Sequence, residues 1–242
     1  MLKELKNQKV FTWEGTAYDY ESIYGLIKAI DYQQINNTNF RVLEATSEYD
    51  GKKAAVIIFQ DSKGAKDYLD DLKFFPKKAK AYKGWDNKLV YCKGFYEQYQ
   101  DARDEVIKQV EAVHADTIII TGWSLGGGIA PICAEDMHYH FGIKPIVIGY
   151  EAPNPCSNRA TRKAVYNAID LKRSVFFINE DDLVPQVPFA PIAWRLNDVT
   201  IWLKTKNGKF TAKPHFNLIR CLKSQIIWHT KADETIKKYF EL

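Results

Sequence analysis

The chain has 242 residues, 46% of them hydrophobic and 26% charged, with a net charge of +4. This composition excludes a disordered tail and a fibre, and the length supplies a core that needs no disulfide or metal staple. The weak positive balance lacks the clustered excess of a nucleic-acid binder, and no apolar run approaches the roughly 18–20 residues of a membrane span.

In chain order, the first ten residues, MLKELKNQKV, carry charge with no apolar stretch behind them, so no signal peptide is read. Residues 17–32 read as a helix, with Ile23, Leu26, Ile27 and Ile30 at helical spacing. Phe40–Ala45 and Ala54–Gln60 read as strands, and Asp50-Gly51 between them signals a hairpin. Residues 97–113 read as a long amphipathic helix presenting Ala102, Val106, Val110 and Val113. Strands and helices then alternate: a strand at Thr117–Thr121, a small-residue helix at Leu125–His140, a strand at Pro145–Tyr150. A helix at Ala160–Ile169 and a strand at Ser174–Asn179 follow. Thr200–Lys206 reads as a late strand turning at Asn207-Gly208, and the chain is helical from about Asn217 with a break near Trp228.

Continuous apolar strands alternating with helices imply an α/β fold: a mostly parallel, doubly wound sheet with helices on both faces. No linker composition divides the chain, so one domain over 1–242 is expected. Cys92, Cys133, Cys156 and Cys221 have no CxxC spacing and read as reduced thiols, which with the missing signal peptide gives a cytoplasmic expectation.

Ligands on such sheets sit at the carboxyl ends of the strands. There, strand Thr117–Thr121 runs into Gly122-Trp123-Ser124-Leu125-Gly126, a G-x-S-x-G between strand and helix. The pattern holds a serine at the tip of a sharp turn, and the glycines remove side chains that would meet the adjoining elements. The first N–H groups of the following helix, Leu125 leading, point at developing negative charge. A Walker loop is excluded because Gly128 is followed by Ile129 rather than by Lys and Ser or Thr.

Such a serine needs a base held by a carboxylate, in the order Ser, acid, His. Strand Ser174–Asn179 delivers Glu180-Asp181-Asp182 to the same edge; Asp182 is the first choice of acid and Asp181 the second. Two histidines follow, His215 and His229. His229, at a helix break, is preferred as the base over His215. His138 and His140 lie two apart, which does not share a helical face, so no metal site is read there.

These residues resemble the class 3 lipase family of α/β-hydrolases, the group of the fungal triacylglycerol lipases. The elbow Gly122-Trp123-Ser124-Leu125-Gly126-Gly127 is similar to the family's G-H-S-L-G-G. Phe59-Gln60-Asp61-Ser62 resembles F-R-G-S/T, and Asp182-Leu183-Val184-Pro185 resembles D-x-V-P. Weaker echoes are Lys93-Gly94-Phe95, before the long helix, and Gly149–Pro153.

The resemblance implies a serine hydrolase of carboxylic esters of lipids, acting through Ser124, His229 and Asp182. It implies an oxyanion hole at Leu125 and Ser62, and neither metal nor cofactor. The substrate implied is a lipid or small ester, with transient contact to a lipid surface. A soluble short-chain carboxylesterase or thioesterase, and an inactive binding protein of the same fold, are the alternatives. Departures from the family are Trp123 for histidine, Asp61 for glycine, Cys92 for a frequent histidine, and Pro131, which is expected to kink the elbow helix. Residues 63–93, rich in lysines and holding Phe74, Phe75, Tyr82 and Trp85, read as a cover that meets a lipid surface.

Overall fold

The apolar runs and helical spacings resolve into eleven strands and four helices among the residues described in the computed structural model: 11–13, 16–18, 20–46, 53–60, 75–79, 88–179, 182, 184–188 and 193–203. The N-terminal part holds β1 (Phe11–Trp13), β2 (Thr16–Tyr18), α1 (Tyr20–Ala29), β3 (Gln33–Ile35), β4 (Thr38–Thr46) and β5 (Lys53–Phe59). Next come β6 (Pro76–Lys78), β7 (Val90–Cys92), α2 (Lys93–Val113), β8 (Thr117–Trp123) and α3 (Leu125–Phe141). The last are β9 (Ile146–Tyr150), α4 (Arg159–Ala168), β10 (Val175–Asn179) and β11 (Thr200–Leu203).

Nine of the strands form one sheet in the order β11-β10-β9-β8-β5-β4-β1-β2, with β3 on β4. From β5 to β11 every pairing is parallel, whereas β4 meets β5 and β1 antiparallel. The mostly parallel α/β sheet is the expected one. Its alternation sorts side chains onto two cores. Ala55, Ile57 and Phe59 of β5 face a cluster with Phe95 and Tyr99 of α2, Ile129 and Ile132 of α3 and Val165 of α4. Ala54, Val56 and Ile58 face the other side with Ile23, Tyr24 and Ile27 of α1. Parallel strands added in one direction through right-handed crossovers put their helices on one face, which leaves α1 to cover the other.

The helix read at 17–32 spans Tyr20–Ala29, and α2 starts at Lys93, four residues ahead of the expected 97. Lys93-Gly94-Phe95 is therefore the first turn of α2 rather than its approach. Phe95 and Tyr96 are buried there, and core packing overrides the weak helix propensity of Gly94. α3 runs through Pro131 to Phe141; the carbonyl crowded by the proline ring is that of Gly127 in the first turn, so the helix is not ended.

Part of the segment read as a cover belongs to the body. β6 and β7 pair antiparallel, and Leu89, Tyr91 and Cys92 are buried in the main core. The turn at Asp50-Gly51, the strand end beyond Leu203 and the helices read from Asn217 lie outside the described residues. So does the rest of the cover, including Phe74, Tyr82 and Trp85.

Candidate active site

The elbow is built by contact distances that forbid side chains. A Cβ at Gly122 would lie 2.4 Å from the carbonyl carbon of Gly126. A Cβ at Gly126 would lie 2.2 Å from the Phe59 carbonyl oxygen and 3.0 Å from that of Gln60. The spacing G-x-S-x-G thus brings the start of α3 against the end of β5. Between the two glycines, Ser124 takes φ 52° and ψ −116°, a region that costs a side-chain-bearing residue about 1–3 kcal/mol. Its N–H is tied to the Tyr150 carbonyl at 2.9 Å, and its own carbonyl accepts from Gly128 N–H at 3.1 Å. The serine is 2% exposed.

The N–H groups of Leu125, Gly126 and Gly127 precede the first bond within the helix and have no carbonyl one turn behind them in it. They form the donor end of α3 beside Ser124. Gln60, whose N–H bonds Asn39 O at 3.0 Å, leaves β5 directly over this turn. Ser62 follows two residues later, within about 7 Å of chain; Asp61 and Ser62 themselves lie outside the described residues.

Trp123, in place of the family's histidine, packs on the opposite face. Its ring meets Tyr24 of α1 edge-on at 5.8 Å, and Lys28 Nζ stands 4.2 Å over it. Tyr24 also lies 5.0 Å from Tyr150, which stacks on Phe177 at 5.5 Å. An aromatic layer anchored by α1 therefore backs the ends of β8, β9 and β10. The contribution of α1 was not legible in the motif; the signal was Tyr24 and Lys28 four apart on one helical face.

β8, β9 and β10 are parallel neighbours, with Trp123 opposite Tyr150 and Tyr150 opposite Phe177. Their carboxyl ends therefore open on one edge, and β8 and β10 are separated by about 10 Å. Ser124 follows the first strand and Asp182 the third. Asp182 is 1% exposed, and its Oδ1 accepts from Val184 N–H at 2.9 Å. The loop is pinned from the β9 side: Asn154 N–H donates to Val187 O at 3.0 Å, and its Nδ2 donates to Pro188 O at 3.0 Å. A buried carboxylate held this way keeps a fixed direction, which is what orienting an imidazole requires. Glu180 and Asp181, and both candidate bases His215 and His229, lie outside the described residues.

One residue at this edge, Glu151, escaped the motif reading, and Cys92, read there as a departure from the family, is placed by its surroundings. Glu151, directly after β9, is fully buried at φ 50°. It acts electrostatically on Arg195, whose guanidinium burial lowers to about 10 while Glu151 opposes the shift. Cys92, at the family's frequent histidine, stands just ahead of α2 and its side chain does not cap it; its thiol instead donates to Asn154 O at 3.3 Å, and burial pushes it up to about 11. A thiol held protonated is no nucleophile.

The family Lipase (class 3) matches residues 56–191. A relative with the name lipase, from Rhizomucor miehei, is 27% identical over 210 residues, covering 84% of this chain and 54% of that protein. The chain thus spans about half the length of the curated relative it matches. Among solved structures, the Rhizomucor miehei triacylglyceride lipase superposes with a TM-score of 0.56 at 22% identity, over 72% of this chain and 65% of that one. A triacylglycerol lipase from Penicillium expansum superposes with a TM-score of 0.58 at 17% identity, over 72% and 68%. At these identities the structures speak for the shared α/β-hydrolase fold. With the family match spanning more than half the chain and the strained serine at its centre, the chain belongs to the class 3 lipase family.

Proposed function

We propose that the protein is a serine hydrolase cleaving carboxylic esters of lipids through an acyl-enzyme. Ser124 attacks the ester carbonyl, His229 takes its proton and returns it to the leaving alcohol, and Asp182 orients the imidazole. The N–H groups of Leu125 and Ser62 receive the oxyanion. Water then deacylates the serine with the same base. The observation that carries this reading is Ser124 itself, held at φ 52° between two glycines at the donor end of α3. Strain at a buried hydroxyl is retained where geometry serves chemistry. The membership of the class 3 lipases supports the ester class, and the buried, pinned Asp182 supports the choice of acid.

The proposal includes a reducing, cytoplasmic setting, supported by the free and buried thiols of Cys92, Cys133 and Cys156. No described helix is long and apolar enough to cross a membrane. The function is tested with a p-nitrophenyl ester series from acetate to palmitate, with and without an emulsion. Ser124→Ala is expected to lose at least about 10³-fold in rate with the fold intact. Retention of a tenth of the wild-type rate would remove Ser124 from the chemistry, and activity confined to the shortest esters would remove lipids as the substrate.

A further inference from the structure

The β6–β7 ribbon does not end at β7. Lys77 lies opposite Tyr91, Tyr91 opposite Cys156, and Cys156 opposite Trp194. Four neighbouring segments place Lys77 and Trp194 about 14 Å apart across one ladder. The ladder sits at the carboxyl edge of the parallel sheet, where α2, α3 and α4 all begin and where Ser124 is presented.

Both ends of the ladder carry cations. At one end the Arg159 guanidinium lies 4.5 Å, and that of Arg162 5.4 Å, from the centre of the Trp194 ring. No carboxylate among the described residues pairs with either arginine. At the other end Phe75 is 75% exposed, beside exposed Pro76 and Lys78. Lys77 and Lys93 there share a single carboxylate, Glu97, at 2.5 and 3.8 Å. Glu135 acts on Tyr91 and Cys156 from α3, on the core side of the ladder.

We propose that this rim is a docking surface for an anionic lipid surface, with Arg159, Arg162 and Trp194 at one end and Phe75 and Lys78 at the other. The proposal rests on the reading of the chain as a lipid-ester hydrolase and adds the charge class of the surface from which the ester is drawn. Cation–π attraction to the indole favours the two guanidiniums there without neutralising them, which leaves N–H donors for phosphate oxygens. An indole and an exposed phenyl ring on the same rim suit the headgroup boundary, where one side of the contact is wet and the other apolar. Among the described residues of the two ends of the ladder, Arg159, Arg162, Lys77, Lys78 and Lys93 face the single carboxylate of Glu97, so a zwitterionic or neutral surface leaves them uncompensated, and an anionic one does not.

The test uses the full chain as Ser124→Ala, so that no hydrolysis alters the membrane and binding is read whether or not the protein is a hydrolase. Partition is measured on vesicles of phosphatidylcholine alone and of phosphatidylcholine mixed with phosphatidylglycerol, at low and high salt. Binding is expected on the mixed vesicles and is expected to weaken in high salt. Adding Arg159→Ala and Arg162→Ala is expected to weaken it about thirtyfold, at roughly fivefold per charge. Lys144→Ala with Lys172→Ala removes the same charge at the opposite edge of the sheet and is expected to change partition little. Thermal unfolding midpoints establish that each variant is folded. Phe75→Ser gives an independent reading, with weaker binding and an unchanged salt dependence. Equal partition on both vesicle types, or equal losses from the arginine and lysine pairs, would overturn the proposal. So would saturable capture of a protein partner by a surface that ignores vesicles.

Discussion

Gly126 offers a substitution whose cost can be worked from distances. Alanine there would put a Cβ 2.2 Å from Phe59 O and 2.7 Å from Phe59 C, both backbone atoms of a central strand. No rotamer relieves such a contact. Restoring an ordinary separation of 3.4 Å needs about 1.2 Å of movement between the start of α3 and the end of β5. That movement carries Ser124 and the Leu125 N–H away from the chain leading to Ser62. A misplacement of about 1 Å costs on the order of 10² in rate, and overpacking costs about 2 kcal/mol, or about 4–8 °C in a chain of this size. Glycine to alanine in a helix otherwise gains up to about 1 kcal/mol, so the sign of the stability change isolates the clash. Gly142→Ala is the control. It has nothing within 4 Å but sits at φ +67° beyond the end of α3, so it is expected to lose about 1 kcal/mol with kcat unchanged. Both variants are compared by kcat on a soluble p-nitrophenyl ester and by thermal unfolding. A Gly126→Ala enzyme with more than about a third of wild-type kcat and no loss of stability would refute the packing argument.

Asp182→Asn is expected to lose on the order of 10⁴ in kcat while Asp181→Asn loses little, and His229→Asn is expected to abolish activity where His215→Asn does not; steady-state rates of the four variants check both. Asp136 is fully buried and receives Tyr99 Oη at 2.5 Å and Arg103 Nε at 2.6 Å, so Asp136→Asn is expected to cost about 3–5 kcal/mol in denaturant unfolding with the pH profile of hydrolysis unmoved. Burial holds the Cys92 thiol up at about 11 and raises Tyr91, Tyr99 and Cys133 well above their ordinary values. The unfolded chain ionises these groups first, so their stabilisation is complete below about pH 8.5, the unfolded thiol value, and is lost as pH rises through the folded values. The unfolding midpoint is therefore expected to fall between about pH 9 and 11, with alkylation of Cys92 in the native state rising over the same range.

The parallel half of the fold was readable because its strands are buried on both faces. Ile118–Ile120 and Ile146–Ile148 are apolar without alternation, and only a strand between helical layers asks for that. The elbow was readable because two close approaches exclude every residue but glycine. What was not readable depends on partners distant in sequence. β1, β2 and β3 have three residues each, and their strand character comes from pairing, with Thr12 opposite Thr46 and Gln34 opposite Asn39. Val90–Cys92 holds strand-forming residues in too short a run to stand apart from the cover, yet the ladder through Cys156 to Trp194 fixes it. The same holds at the site. The buried Glu151 and the Arg195 on which it acts electrostatically are 44 positions apart, and neither residue type announces the other.

The central claim is that Ser124 is an activated nucleophile. The most direct measurement is labelling of the native protein with a fluorophosphonate, followed by mass mapping of the modified peptide. A single adduct on Ser124, absent after heat denaturation and absent in Ser124→Ala, is the predicted result. No adduct on the folded protein, or an adduct that persists in Ser124→Ala, would contradict it.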